Sequence, residues 1–566
     1  MQRKLGLLVL VAVAAGCGQR RIADTESPSP AQLALRGALS SGARPSFVTR
    51  DNEGKRLWKL TRDFYERRTY TLAWIDDRHP TSHMDGLIEA LRAAEAEGLD
   101  PETYSLSTLV ARREEATRGF LLKKGFEPEQ VGDLELFLTY LYMKYASDLA
   151  DGMSDLAHAD ASWHIEPEPF DPLDHLERAL ANNEVSESLR SLSPEAAHYK
   201  QLRDALAEYR EQAAAGGWPR VPKNLRARPG ERSESVAQAA LRLAASRDLQ
   251  GKVPDTGALL YDDRVGEAVK RFQRRHGLAD DGIVGPAVAA AMNVPIEHRI
   301  EQIRLNLERW RWLPRELGDP HILVNIPAYS LEVWERDQVA LSMRVVVGKK
   351  DTPTPIFNDR MTYIVFSPYW NVPSGIAEGE TLPAVLTDPT FLERNNMEVL
   401  DASGNPVDPS TIDLDDPAQY RFRQRPGRGN SLGLVKFMFP NQFNVYLHDT
   451  PADSLFARAT RSFSHGCVRV EQPQALAERL LRNRPEWTPE RIADAMHAGT
   501  ETTLKLEQPI PVYLGYWTAL ATPAGVQFSG DVYGIDQRQR QLLEARMTRL
   551  KKTLQTAPAA RPRQTG

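Results

Sequence analysis

Apolar residues in the first part of the chain recur at steps of three and four, the period of an amphipathic helix. One such stripe comprises Leu57, Leu60 and Phe64. A longer one comprises Leu134, Leu138, Leu141, Tyr145 and Leu149. Such stripes are best explained as the buried core of packed helices, so we predict a helical scaffold domain over residues 47–218.

A second helical region follows a segment rich in Pro, Gly, Lys and Arg at 219–232, which predicts a linker. Val265, Val269 and Phe272 share one helical face. The turn residues at 280–286 predict a tight loop before a short helix that begins near Pro286. We therefore predict a small three-helix domain at 233–296.

From residue 320 the pattern changes to short runs rich in Val, Ile, Tyr and Phe, which are typical of strands. A polar stretch at about 375–428 interrupts these runs and is too long for a simple loop. We interpret it as an insertion and a candidate lid. The fold class is therefore α+β and multidomain: a helical scaffold, a three-helix module and a β-rich, sandwich- or barrel-like domain at 320–485. Helices and strands at 486–550 complete the scaffold and β-rich regions, and 557–566 is expected to be a disordered tail.

An apolar run from Leu5 to Ala15 follows two basic residues and is too short to span a bilayer, which is typical of a signal peptide. The string Ala14-Ala15-Gly16-Cys17 resembles the lipobox of bacterial lipoproteins, although that pattern prefers Leu where Ala14 stands. The resemblance implies a signal peptide at 1–17 and lipid on Cys17. The stretch at 18–46 is rich in Ser, Pro, Ala and Arg, which predicts a flexible tether. Gly18 favours the inner face of the outer membrane, so we expect a lipid-anchored periplasmic protein. Signal cleavage nearby, with Cys17 incidental, stays open.

The net charge and the number of cysteines narrow the range of possible functions. A net charge of -5 over 566 residues argues against a nucleic-acid partner, which usually needs a basic surplus. The chain has two cysteines, Cys17 and Cys467. If Cys17 carries lipid, one thiol remains, and an unpaired thiol in an exported protein is a candidate for chemistry.

The remaining thiol lies in Ser464-His465-Gly466-Cys467-Val468-Arg469, and a second histidine, His448, begins His448-Asp449-Thr450-Pro451 nineteen residues before Cys467. An imidazole is the common activator of a cysteine nucleophile. A strand return of this length can bring His448 beside the thiol, and Gly466 suits an oxyanion pocket built from backbone N–H groups. No spacing of His, Cys and Glu resembles a zinc site, so we predict no metal and no other cofactor.

These two strings resemble the L,D-transpeptidase catalytic domain, as do the residues at 369–374 and 430–437. The residues at 269–273 and 281–286 resemble the peptidoglycan-binding module. Together they resemble the large scaffolded subfamily that has a capping insertion. The resemblance implies that Cys467 is the nucleophile, that His448 is the general base and that the carbonyl of Asp449 orients it. It further implies an oxyanion pocket at His465, Gly466 and the Cys467 amide. The substrate-binding residues it implies are Arg469, which holds a carboxylate, Ser464, Trp370 and Tyr369, although core packing serves the two aromatic residues equally well.

The implied reaction joins peptidoglycan stem peptides by 3→3 links through a thioester on Cys467. Carbapenem-type β-lactams are then expected to acylate the same thiol. The expected partners are stem peptides, glycan and, through the lipid, the membrane. Two alternatives stay open: a thiol L,D-carboxypeptidase or hydrolase acting on stem peptides, and a non-catalytic wall-binding lipoprotein. A papain-like protease would place its Cys before its His, the reverse of the order here.

Overall fold

The computed structural model describes residues 27–555 apart from 77–78, 122–124, 154–161, 255–256, 389, 409–410 and 412–418. Cys17, the predicted signal peptide and the predicted tail at 557–566 therefore lie outside the described residues. Within the described part of the chain, no helix combines the length and the apolar character needed to cross a bilayer.

The N-terminal region is helical, as its periodicity predicts. Its helices are Pro30–Ser40, Asn52–Arg67, Ser82–Arg92, Leu106–Leu121, Pro128–Ala150, Pro172–Asn182, Val185–Arg190 and Ala197–Ala214. A short hairpin pairs β1 (Ile75–Asp76) with β2 (His79–Pro80). Helix Pro128–Ala150 carries the long apolar stripe and lies at the centre, buried on almost every face.

The tether predicted over 18–46 is wrong for its second half. Ser29 and Gln32 form a capping box that starts a helix at Pro30. Leu35 is fully buried, and this helix packs against helix Pro128–Ala150. The linker-like composition concealed apolar residues spaced four apart, which are enough to dock a short helix on an existing core.

The three-helix module has its own apolar core, as predicted. Its elements are β3 (Arg232–Ser233), Glu234–Ala245, β4 (Leu259–Leu260), Asp263–Arg275 and Pro286–Met292. Gln273 connects the two strings at 269–273 and 281–286. Its side-chain amide donates to Asp281 at 2.7 Å and accepts from the Gly282 amide at 2.9 Å. Gly282 has φ +70°, so the side-chain clamp holds a turn that favours glycine.

Helix Ile296–Arg311 begins at the last residue of the predicted three-helix domain and connects that domain to the β-rich domain. It packs against helix Ala197–Ala214 of the scaffold and against the C-terminal helix Ile535–Leu554. Its buried Arg309 pairs with Asp536 at 2.7 Å. The scaffold and the β-rich domain consequently share one continuous apolar core.

The β-rich domain is a closed sheet, which confirms the barrel-like expectation. Its strands, with those of the insertion, are β5 (His321–Asn325), β6 (Ser330–Glu335), β7 (Gln338–Gly348), β8 (Phe357–Phe366), β9 (Trp370–Asn371), β10 (Met397–Leu400), β11 (Pro406–Val407), β12 (Arg421–Gln424), β13 (Val435–Met438), β14 (Leu447–His448), β15 (Ser462–Ser464), β16 (Val468–Val470), β17 (Thr502–Gly515), β18 (Ala519–Thr522) and β19 (Gly525–Phe528). The order is β15-β7-β16-β14-β13-β8-β17-β5-β6, and β6 also pairs with β7, which closes the ring. Strand β17 lies between β8 and β5, so the barrel extends past the predicted boundary at residue 485. Helices Pro473–Leu481 and Pro489–His497 pack together beside it.

The insertion at 375–428 is a folded subdomain in its described part. Its sheet has the order β11-β10-β12-β9, and short helical segments lie at Ser374–Ile376, Ala377–Thr381, Leu382–Thr387 and Phe391–Arg394. It has a small core of its own, formed by Leu392, Met397, Val399 and Phe422. Because β9 follows β8 directly, this sheet is tethered to the rim of the barrel.

Candidate active site

Strand pairing brings Cys467 and His448 to one face of the barrel. Cys467 immediately precedes β16, and His448 ends its parallel neighbour β14, opposite Arg469. The Val468 amide donates to the carbonyl of Tyr446 at 3.2 Å, which fixes the register. Since side chains alternate along strands, Cys467 and Arg469 share a face with Tyr446 and His448. The return to a neighbouring strand expected from the sequence is therefore present.

The imidazole of His448 is buried and its orientation is fixed. Its Nδ1 lies 2.6 Å from the carbonyl oxygen of Asp449, the contact that the resemblance implies. An N–H at Nδ1 donates to that carbonyl, which leaves Nε2 as the proton acceptor. The pKa of His448 is lowered to about 3 by burial, by the nearby Arg469 and by Lys436. The ring is therefore neutral at physiological pH.

Asp449 contributes a second support through its carboxylate. It accepts from the amides of Leu434 at 2.8 Å and Thr450 at 2.7 Å. Gly433 has φ +61°, and a Cβ there would lie 2.3–2.5 Å from the Asp449 side chain. Only glycine fits this close approach, so the loop before β13 and the end of β14 are locked together.

The thiol of Cys467 is half-buried and lies 3.8 Å from the carbonyl oxygen of Asn444. Burial raises the pKa of the Cys467 thiol, while hydrogen bonding with Tyr446 and the positive charge of Arg469 lower it. The net direction is upward, so the resting site pairs a neutral thiol with a neutral imidazole.

Ser464 and Gly466 shape the turn that presents the thiol. The Ser464 hydroxyl is buried, donates to the carbonyl of Cys467 at 2.5 Å and accepts from the Gly466 amide at 3.2 Å. The Ser464 hydroxyl therefore both donates and accepts inside the turn, and its role in substrate binding stays a prediction. These contacts also occupy the Gly466 amide. The predicted oxyanion pocket includes the backbone around Gly466 and the amide of Cys467. Of these two amides, that of Cys467 has no acceptor among the described residues.

His465 contacts the insertion. Its ring is exposed, and Nε2 lies 2.8 Å from the carboxylate of Glu380. The closed ring of the barrel and the inserted subdomain therefore meet two residues from the nucleophile. Sequence reasoning predicted a lid here but could not identify Glu380, because a single acidic residue in a polar segment carries no distinguishing signal.

Two cations flank the imidazole. Arg469 is half-buried, and desolvation lowers its pKa. Lys436 stands opposite His448 in the β13–β14 register, and burial lowers its pKa as well. Lys436 was not among the predicted site residues, although it belongs to a string that carries the resemblance. Tyr446, whose ring centroid lies 5.7 Å from that of His448, was also missed, since nothing in the sequence marks it.

Tyr369 and Trp370 support the insertion. The Arg423 guanidinium lies 4.3 Å from the ring centroid of Tyr369, and the Tyr369 amide donates to Glu501 at 2.7 Å. Trp370 pairs with Gln424 in the β9–β12 ladder. These contacts place both residues at the root of the insertion, and their role in the substrate groove stays a prediction. Within the described residues, no group of three or more His, Cys, Asp or Glu side chains could hold a metal ion.

Comparison with known proteins identifies three segments. Residues 319–501 match the family described as L,D-transpeptidase catalytic domain, residues 232–292 a "Putative peptidoglycan binding domain", and residues 59–206 a "Scaffold domain". A curated relative from Haemophilus influenzae, named "Putative L,D-transpeptidase", is 36% identical over 260 residues, which are 45% of this chain. The match spans 52%, about half, of that relative's length.

Two solved structures are also similar to part of the chain. An L,D-transpeptidase from Xylanimonas cellulosilytica is 15% identical, with 52% of this chain and 99% of that chain covered and a TM-score of 0.18. One from Stackebrandtia nassauensis is 12% identical, with coverage of 52% and 97% and a TM-score of 0.21. These TM-scores are too low for the likeness to bear on the fold, which is established by the family matches and the closed sheet itself.

Proposed function

Given that the chain carries an L,D-transpeptidase catalytic domain beside scaffold and peptidoglycan-binding-type domains, we propose that it forms 3→3 cross-links between stem peptides through a thioester on Cys467. The observation that carries the proposal is the shared face of β14 and β16, on which a thiol and a buried imidazole with a free Nε2 lie together. The peptidoglycan-binding-type module supports a polymeric wall substrate.

The first half of the reaction acylates the thiol. The S–H proton of Cys467 passes to Nε2 of His448 as Sγ bonds to the carbonyl carbon of the third stem residue. The C–N bond to the terminal D-Ala then breaks, and the proton on Nε2 goes to the departing amine. The amide of Cys467 stabilises the oxyanion formed between these events.

The second half transfers the acyl group. An amine of a second stem peptide attacks the thioester carbonyl and gives a proton to Nε2 of His448. The C–S bond breaks, and Sγ recovers that proton. Arg469 supplies positive charge beside the thiol, and Lys436 supplies it beside the imidazole. We assign the substrate carboxylate to Arg469 because a guanidinium fork matches its geometry.

The insertion acts as a cap over the stem peptide in this proposal. Its contact from Glu380 to His465 lies beside the nucleophile, and its own core lets it move as a unit. A closed cap excludes water and favours an amine acceptor over hydrolysis.

Membrane attachment through lipid on Cys17 is a separate proposal, which the lipobox-like string supports. It predicts that Cys17→Ser moves the protein from the membrane fraction to the soluble periplasmic fraction. A chain that stays in the membrane fraction after this change would refute the anchor.

The test uses purified chain carrying Cys17→Ser, incubated with tetrapeptide-rich muropeptides and analysed by mass spectrometry. We expect 3→3 dimers, none with Cys467→Ala, and about 100-fold less with His448→Gln because general-base catalysis contributes at least that much. His298→Gln is the matched control, since His298 is an exposed histidine on helix Ile296–Arg311. Trimmed monomers without dimers would instead assign a hydrolase.

A further inference from the structure

A buried hydrogen-bond chain connects the C-terminal region to the turn that presents the thiol. Thr354, fully buried in the β7–β8 connection, donates from Oγ1 to the carbonyl of Gly466 at 2.8 Å. The same oxygen accepts from the Gly348 amide at 2.9 Å. A Cβ at Gly348 would lie 2.2 Å from the Thr352 carbonyl oxygen, so the loop is closed too tightly for any other residue.

Tyr533 holds Thr354 from the other side. Its hydroxyl accepts from the Thr354 amide at 3.2 Å and donates to the Gly348 carbonyl at 2.8 Å. The Tyr533 amide is itself tied to the hydroxyl of Tyr516 at 2.9 Å. Tyr533 lies outside the catalytic-domain match at 319–501, between β19 and the C-terminal helix.

The peptide bond between Gly466 and Cys467 links these hydrogen bonds to the chemistry of the site. The carbonyl of Gly466 and the amide of Cys467 belong to the same planar peptide, which is not among the cis bonds of the described residues. In a trans peptide the C=O and N–H point in opposite directions. Since the Gly466 oxygen is bonded to the buried Thr354, the Cys467 N–H points the opposite way, away from that buried loop.

We propose that Thr354 and Tyr533 are positioning residues that aim the Cys467 amide as an oxyanion donor. The inference deepens the proposed acyl transfer and rests on it. It assigns the C-terminal segment a part in the chemistry: without the Tyr533 hydroxyl, the Thr354 loop loses two hydrogen bonds, and the peptide that carries the donor gains freedom to rotate.

The experiment compares two reactions of the same thiol in the full chain carrying Cys17→Ser. Acylation by p-nitrophenyl acetate builds an oxyanion, whereas alkylation by iodoacetamide displaces iodide at a saturated carbon and builds none. We expect Thr354→Val and Tyr533→Phe to slow acylation about tenfold, a fraction of the roughly 100-fold that losing a whole donor costs. Alkylation should stay within about twofold of the unmodified chain, and Thr354→Ser, which keeps the hydroxyl, should restore most of the acylation rate. No stem-peptide turnover is needed, so failure of the proposed cross-linking shows in its own muropeptide assay.

The control is Tyr513→Phe, which removes another buried tyrosine hydroxyl, one that donates to the Leu317 carbonyl at 3.1 Å. It should leave both rates unchanged. Unchanged acylation in Thr354→Val and Tyr533→Phe would overturn the inference. Equal slowing of both reactions would overturn it too, because it would indicate a generally displaced thiol.

Discussion

The resting state of Cys467 gives the sharpest test of the site. Many cysteine enzymes hold a thiolate–imidazolium pair, whose thiol alkylates readily at acid pH. Here burial raises the pKa of the thiol above its ordinary value, and the pKa of His448 is about 3. Both shifts favour the neutral pair.

The magnitude follows from these pKa values. An ordinary thiol pKa of about 8.5 lies well above the pKa of His448, about 3, so moving the proton costs on the order of 7 kcal/mol. Even at a separation as short as about 4 Å, attraction between the two charges would return at most about 4 kcal/mol. The remainder, on the order of 3 kcal/mol, keeps the ion pair below about 1% of the population.

The assay is the rate of iodoacetamide alkylation of Cys467 against pH, followed by intact-protein mass spectrometry on the Cys17→Ser chain. At pH 6 the rate should be no more than about 1% of the plateau reached at high pH, because reactivity follows the thiolate fraction. His448→Gln should give the same profile. A rate at pH 6 that reaches a tenth of the plateau, and that falls with His448→Gln, would refute the neutral-pair reasoning.

Three further predictions concern other parts of the molecule. Glu380→Gln should speed labelling of Cys467 by at most about fivefold, since an exposed contact between a histidine and a carboxylate is worth up to about 1 kcal/mol. Glu378→Gln changes an exposed neighbour and should leave the labelling rate unchanged, and slower labelling of Glu380→Gln would contradict a cap held by Glu380. Glu135→Ala should lower the free energy of unfolding in urea by about 3 kcal/mol or more, because its buried carboxylate accepts from the amides of Ala73, Trp74 and Ile75 at 2.8 Å. Exposed Glu129→Ala should lower it by less than about 0.5 kcal/mol, and similar losses in the two variants would contradict this reasoning. Between pH 6.5 and 4.5, His448 is protonated in the unfolded chain but not in the native chain, so the free energy of unfolding falls as the pH falls. His448→Gln should lose about 2 kcal/mol less of that free energy across the same window, and equal losses would show that the pKa of His448 is not depressed.

The sequence was most informative where a pattern repeats or a string is rare. The stripe from Leu134 to Leu149 predicts the central helix, and the Cys467 string with His448 upstream predicts a site that the β14–β16 register then brings together. Contacts between distant segments left no such pattern. The position of Tyr533 beside Thr354 depends on how the C-terminal segment packs, and neither residue stands out in the sequence.

Failures of prediction have physical causes of the same kind. The contacts of Ser464 were not predicted, because the sequence does not show that its hydroxyl is buried in a tight turn and bonded to the nearest backbone groups. Helix Pro30–Ser40 was missed because linker-like composition dominates its sequence, although two buried leucines, Leu35 and Leu39, and a capping box suffice to dock it. Local composition does not report the surface that a segment will meet.

The low pKa of His448 also bears on the choice between an amine and water as acceptor. Because burial lowers the pKa of His448, its protonated form is a stronger acid than an ordinary imidazolium, and in the proposed reaction it would give its proton readily to the departing amine. The same group is a weak base, poorly matched to removing a proton from water, which needs strong assistance to attack a thioester. A neutral amine attacks without that assistance and loses its proton only after the new bond forms. If the proposed reaction holds, the environment that keeps His448 neutral favours aminolysis over hydrolysis, in addition to any exclusion of water by the insertion.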